Sequence, residues 1–549
     1  MLTTNKRVTI SLSFHLSAVC ILLLILGGCT RPGYRTIEGP RTELPPDAQR
    51  DKRAVAGNFS NQVDLKFDSA DIGKFLQQFP GFAADSGHLK QFYRRRKFAY
   101  AWYDDKGMLE QAGSLFNRLI HLHREGITAQ LPYEADFVRM MEDSDSVLRR
   151  EPGNAHAELM LTSQYFSFAK HVWQGIGQSE QEKQEWFLVR KKLDLDALMD
   201  SLLLHPERSI DTDEPVYRQY GLLRRYLKKY SDIDSAGIWY AVPSSDRRLS
   251  EGDTSSSIPV IRKRLALTNE FDGDTASVVY TPDLVAAVRR FQDSRGLQAD
   301  GVIGPSVVSE LNVPPSKIVR QIVLNMERAR WVPVSMDGSY IVVNIPAFKL
   351  YVYDHDSLLW DMNIVAGQPM HETVIFNGDL KYIVFSPYWN VPLSIYKNEI
   401  LPGIKRDPDY LTKHNMEPFG NTVRQKPGPT NSLGRVKFLF PNSYNIYLHD
   451  TPSRNLFNKD SRAFSHGCIR LAEPKKLAMY LLRDNKSWTE AKIDGAMKSN
   501  TEKWVTLDKP VPVFIAYFTA WVGRDGFLNL RKDVYNRDAR LAEMIIASD

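Results

Sequence analysis

The chain has 549 residues, of which 43% are hydrophobic, 25% charged and 11% aromatic, a balance that belongs to folded soluble proteins and excludes extensive disorder. At roughly 100–200 residues per domain, this length predicts about three or four modules. Lys and Arg number 71 against 65 acidic residues, a surplus too thin to form the basic footprint of a nucleic-acid binder.

Lys6 and Arg7 precede the apolar run "SAVCILLLILGGC", which is short, close to the start, and reads as a secretory signal over residues 1–29. An uncleaved membrane anchor is the alternative. Its end, Leu26-Gly27-Gly28-Cys29, resembles the lipobox of bacterial lipoproteins. That resemblance implies cleavage before Cys29, lipidation of its thiol and amine, and attachment to a membrane. Thr30 in place of an aspartate implies, by the same resemblance, the outer membrane of a Gram-negative-type bacterium and hence a periplasmic, lipid-anchored protein. Of three cysteines, Cys20 leaves with the signal and Cys29 is lipidated, so Cys468 stands alone as a free thiol in an exported protein. Such a thiol is exposed to oxidation and mispairing and calls for a reason.

Residues 30–60 are rich in Pro, Gly and charge and read as a flexible tether. From 61 to 250 the periodicity is helical. "MLEQAGSLFNRLIHLHREG" carries Leu109, Leu115, Leu119 and Leu122 at near-helical spacing, with Gly126 as the stop, and "HAELMLTSQYFSFAKHVWQG" and "PVYRQYGLLRRYLKKYSDI" behave likewise. Isolated histidines there read as packing or surface residues. Residues 255–315 form a compact unit in which Thr281-Pro282 predicts a helix start and Leu284, Val285, Val288 and Phe291 one apolar face, ended by Gly296.

After a linking helix the period changes to two. "SYIVVNIPAFKLYVYD", "LLWDMNIVAG", "LKYIVFSPYW", "GRVKFLFP" and "YNIYLHD" predict short strands of a β-rich domain over 335–525. An insertion at about 391–433, helical and Pro-rich, is too long for a plain loop and reads as a cap over the site. Residues 526–549 form a C-terminal segment. The fold class is therefore multidomain α+β, with a mainly helical scaffold, a three-helix unit and a β-rich domain with a capping insertion.

The chemistry concentrates in "RAFSHGCIRLAEP", where His466 and Gly467 precede Cys468. Cys468 reads as a nucleophile, a metal ligand or a small buried side chain. Zinc lacks a clear fourth ligand beside one cysteine and two histidines, and no CxxC or HExxH pattern occurs. A nucleophilic thiol needs a base, a group that orients the base, and donors for the oxyanion. Alternation in "YNIYLHD" predicts Asn445, Tyr447 and His449 on one strand face, so His449 and His466 are both candidate bases. Gly467 lets the backbone turn so that its N–H and that of Cys468 serve as oxyanion donors.

Two stretches carry family resemblances. "AVRRFQDSRGLQADGVIGPSVVSELN" resembles the small three-helix peptidoglycan-binding domain through Val288, Phe291-Gln292, Gly296-Leu297, Asp300-Gly301 and Gly304-Pro305. "YLHDTP" and "SHGCIRL", with 16 residues between His449 and His466, resemble the L,D-transpeptidase (YkuD-type) signature. "FYRRRKFAYAWYDDKGML", "SPYWNVPLSIYKNEILPGIKRDPDYL" and "FIAYFTAWVGRDGFLNLRKDVYNRD" resemble the large periplasmic subgroup with a helical scaffold and a capping segment.

The resemblance implies a peptidoglycan enzyme without cofactor. His449 is then the general base, Cys468 the acyl-accepting nucleophile, and the Asp450 carbonyl orients the imidazole. His466 and Gly467 shape the site, and Arg470 meets a substrate carboxylate. D-alanine leaves a tetrapeptide stem and a 3–3 crosslink forms through a cysteinyl acyl-enzyme. Carbapenem β-lactams are implied covalent inhibitors. An L,D-carboxypeptidase or exchange enzyme shares that acyl-enzyme, and a non-catalytic wall-binding lipoprotein is the alternative from another class.

Overall fold

The computed structural model describes residues 65–104, 107–142, 154–188, 190–204, 214–243 and 247–546. The expected signal over 1–29, lipidated Cys29 and the tether over 30–60 lie outside the described residues. No described helix is long and apolar enough to cross a membrane.

Helix Ala155–Ala169 is buried on nearly every side, its polar Glu158, Thr162, Ser163, Gln164 and Ser167 included, which makes it the axis of the helical part. The Asn154 side chain caps it by accepting from the backbone N–H groups of His156 and Ala157 at 3.0 and 3.2 Å. Ala70–Gln78, Ser86–Arg95, Glu110–Leu119, Glu134–Glu142 and Leu195–Leu204 contribute to the same hydrophobic core. The predicted stop at Gly126 is present as a left-handed residue, φ 70°, after a short 3-10 turn.

Three helices, Ile258–Leu267, Pro282–Ser294 and Pro305–Leu311, enclose a separate apolar cluster. Leu284, Val288 and Phe291 are buried in it as the spacing predicts, but Val285 sits at its margin and Ala287 takes the inward position. A face defined by 3.6 residues per turn places 284, 287, 288 and 291 together, and 285 falls off its edge.

Helix Pro315–Trp331 links this unit to a sheet that closes on itself. Around the ring run Val436–Leu439, Leu448–His449, Ile469–Leu471, Ser357–Gly367, Lys349–Asp354, Ser339–Asn344, Lys503–Ala516 and Ile375–Phe385, the last pairing again with Val436–Leu439. Closure leaves these strands few open edges. The scaffold adds a strand of its own, Trp186–Phe187, parallel to Ile375–Phe376. The N-terminal part is thus helical and the C-terminal part β-rich.

Two local expectations need correction. "YNIYLHD" is not a seven-residue strand: only Leu448–His449 is, and Asn445 has φ 56°. The Asn442 side chain accepts from the N–H groups of Tyr444 and Ile446 at 3.0 and 3.2 Å and so folds the approach into a turn. The insertion is not only helical. Trp389–Asn390, Thr422–Gln425 and Met416–Phe419 form a small antiparallel sheet, and Val391, Ile400, Met416 and Val423 give it a core of its own.

Candidate functional site

Strands Leu448–His449 and Ile469–Leu471 pair in parallel, with Leu448 opposite Ile469 and His449 opposite Arg470. The Ile469 N–H donates to the Tyr447 carbonyl at 3.1 Å, which brings Cys468 alongside Tyr447. Leu448, Ile469 and Leu471 are fully buried in the sheet's core. Alternation therefore turns Tyr447, His449, Cys468 and Arg470 to the opposite face, and sequence periodicity predicts that grouping for 447 and 449 despite the lost strand length.

Cys468 is half-buried, and its Sγ–H donates to the Asn445 carbonyl at 3.6 Å. The Tyr447 backbone N–H and hydroxyl both favour the thiolate form of the sulfur. Burial raises the thiol above its ordinary pKa, while these two donors and the nearby Arg470 guanidinium pull it back down. Tyr447 is a site residue that received no role from the sequence, although its register beside His449 was the available signal. Its own hydroxyl is held well above the usual phenol range by burial and by the sulfur beside it.

His449 is buried, and its Nδ1 lies 2.5 Å from the Asp450 carbonyl, with the Leu433 carbonyl acting on the same ring. Burial pushes the imidazole down to about 3, and Arg470 adds to the shift. The ring stands 5.7 Å from that of Tyr447, centroid to centroid. No hydrogen bond joins His449 to Cys468 among the described residues; the two sit diagonally across the strand pair. Burial thus works against the charged form of both groups.

The Asp450 carboxylate is committed to the fold. It accepts from the N–H groups of Arg435 and Thr451, each at 2.7 Å, and pairs with Arg454. A Cβ on Gly434 would come within 2.4 Å of it, so this approach requires glycine.

His466 points elsewhere. Its Nε2 pairs with Glu399 of the insertion at 3.0 Å and its ring lies 5.2 Å from His371. Gly467 has φ 108°, a conformation that disfavours side chains. Its N–H is not free for an oxyanion, contrary to expectation, because it donates to the Ser465 hydroxyl at 3.2 Å, which in turn donates to the Cys468 carbonyl at 2.5 Å. The Cys468 N–H has no such partner among the described residues and remains the donor beside the sulfur.

The Gly467 carbonyl accepts from Thr373 Oγ1 at 2.9 Å, and the same hydroxyl accepts from Gly367 N–H at 3.0 Å. The Tyr535 hydroxyl donates to the Gly367 carbonyl at 2.6 Å, and Arg537 pairs with Glu372 at 2.6 Å. The C-terminal segment thus braces the cysteine loop, a role no local pattern announces. Arg470 Nε is buried with no hydrogen-bond partner, which leaves a desolvated cation beside Cys468.

Residues 338–506 match the family model of the L,D-transpeptidase catalytic domain (YkuD), residues 87–227 that of a scaffold domain, and residues 255–311 one described as "Putative peptidoglycan binding domain". A curated protein of Haemophilus influenzae named "Putative L,D-transpeptidase" is 33% identical over 253 residues, 42% of this chain. The chain spans about half the length of that relative, 51%. Among solved structures, an L,D-transpeptidase from Mycobacterium smegmatis is 16% identical over 32% of this chain and 58% of its own, with a TM-score of 0.18. One from Stackebrandtia nassauensis is 14% identical over 50% and 97%, with a TM-score of 0.22.

Proposed function

We propose, for a chain that carries an L,D-transpeptidase catalytic domain, a scaffold domain and a peptidoglycan-binding domain, that it forms 3–3 crosslinks in peptidoglycan through an acyl-enzyme on Cys468. The observation that carries this reading is one strand pair that sets a lone thiol and an Arg470 with a buried, unpartnered Nε beside a buried imidazole.

Cys468 sulfur attacks the carbonyl that joins stem residue three to D-alanine. Its proton passes to His449, held by the Asp450 carbonyl, and on to the departing D-alanine amine as the C–N bond breaks. The Cys468 N–H stabilises the oxyanion. An amine on a second stem gives up its proton to His449, attacks the thioester and restores the thiol. The energy of the cleaved peptide bond is kept in the thioester, so the step needs no nucleotide. Arg470 holds a stem carboxylate, His466 shapes the cap side of the site through Glu399, and the Gly467 turn sets the cysteine N–H. The protein works in the compartment that holds peptidoglycan, and lipidation at Cys29 would fix it to the outer membrane. The strained carbonyl of a carbapenem is attacked by the same thiol.

Intact-mass measurement after incubation with a carbapenem tests the nucleophile. One adduct on the wild type, absent from Cys468→Ala, is expected; a wild type that stays unmodified contradicts it. Water as acceptor would yield tripeptides instead of dimers and would mark an L,D-carboxypeptidase.

A further inference from the structure

A cleft of about 590 Å³ lies between the three-helix unit, the linking helix Pro315–Trp331 and the C-terminal segment, apart from the Cys468 face. Five cations line it: Arg295, Lys317, Arg320, Arg531 and Lys532, against Glu310, Asp533 and Asp538. Two of the carboxylates are already committed. Asp533 accepts from the Tyr517 hydroxyl at 2.6 Å and from the Arg537 and Asp538 N–H groups at 2.9 and 2.8 Å. Asp538 pairs with Arg328 at 2.6 Å and accepts from Thr519 at 2.7 Å.

The cations divide differently. Arg531 donates only to carbonyls, those of Ser294, Leu530 and Asp293 at 2.8, 3.0 and 3.0 Å, and its guanidinium lies 5.0 Å from the Trp521 ring centroid. It keeps its charge close to that of Arg295, and the repulsion adds to burial in lowering its pKa. Lys317, Arg320 and Lys532 are exposed and have no ion pair among the described residues. The cleft is left with three uncommitted cations against one uncommitted carboxylate, over a wall that includes Val313, Leu324 and Leu530.

We propose that this cleft is a second substrate site, which takes a short acidic peptide with small apolar side chains, namely a stem peptide of the peptidoglycan. The volume falls within the range of sites that enclose small ligands. The concave shape and apolar wall suit methyl-bearing residues between carboxylates, whereas a flat anionic membrane cannot enter. The identity of the peptide rests on the peptidoglycan function proposed above; the preference for a carboxylate ligand does not. Built on the helix that joins the binding unit to the catalytic sheet, the site would hold the wall in place while another stem reacts at Cys468.

The test measures fluorescence anisotropy of a labelled disaccharide-tetrapeptide with the full chain and with Lys317→Ala/Arg320→Ala/Lys532→Ala. Loss of three exposed charge contacts should weaken binding about tenfold, equivalent to about 1.4 kcal/mol. Lys317→Arg/Lys532→Arg should keep wild-type affinity, and both variants should be acylated by a carbapenem at the wild-type rate. Unchanged affinity in the triple variant overturns the site, as does stronger binding to phosphatidylglycerol vesicles than to the muropeptide, lost in the same variant. Failure of the catalytic reading appears separately, as absent acylation of the wild type.

Discussion

Replacing Tyr447 with Phe removes a single oxygen from beside the Cys468 sulfur and leaves the Tyr447 backbone N–H in place. A hydrogen bond to a charged group contributes about 1.5–3 kcal/mol. At 1.36 kcal/mol per unit, its loss raises the thiol pKa by about one to two units. Below that pKa the thiolate fraction falls by about ten- to a hundredfold, but the remaining thiolate is more nucleophilic, with a Brønsted slope of about 0.4–0.5. The net expectation is about a four- to fifteenfold slower reaction at neutral pH. The assay is the rate of iodoacetamide alkylation from pH 5 to 10, followed by intact mass, with thermal unfolding as a control for the fold. A thiol pKa that does not move, or alkylation that speeds up at neutral pH, refutes the assignment of Tyr447 as a donor to the thiolate.

In the wild type, His449 at about 3 stays neutral from pH 5 upward, so acylation should climb with pH as the raised Cys468 thiol ionises and show no inflection between pH 5 and 7; a bell with an acid limb near 6.5 contradicts it. The same His449 shift sets an acid-stability effect. Because the folded pKa is depressed, the unfolded chain binds the extra proton, so this contribution is full above about pH 6.5 and is lost as pH falls toward 3. His449→Asn should flatten that part of a denaturation series between pH 4 and 7. Thr373→Val leaves the Gly467 carbonyl and Gly367 N–H unpaired and should cost about 1–3 kcal/mol. It should also lower kcat for carbapenem acylation more than it raises KM, with Thr373→Ser restoring both.

Chain order carried much of the architecture into view. The change from 3.6-residue to two-residue periodicity separates helical scaffold from closed sheet, and the three-helix unit follows from Thr281-Pro282 and Phe291. Local pattern alone brought Tyr447 and His449 to one face. What stayed hidden depends on contacts distant in sequence. Asn442 cancels the strand at 442–446 through its own side chain, and Ser465 removes the Gly467 N–H from the oxyanion donors. The Thr373–Gly467 and Tyr535–Gly367 bonds cross 94 and 168 positions. The turn of His466 toward Glu399 depends on where the insertion folds, and no spacing near Cys468 encodes that.

Muropeptide analysis after incubation of purified protein with tetrapeptide-bearing sacculi tests the central claim most directly. Dimers with 3–3 links and released D-alanine from wild type, both absent from Cys468→Ala, are the predicted result. Unchanged stems with wild-type protein that still binds the sacculi would contradict the transpeptidase and leave a wall-binding protein.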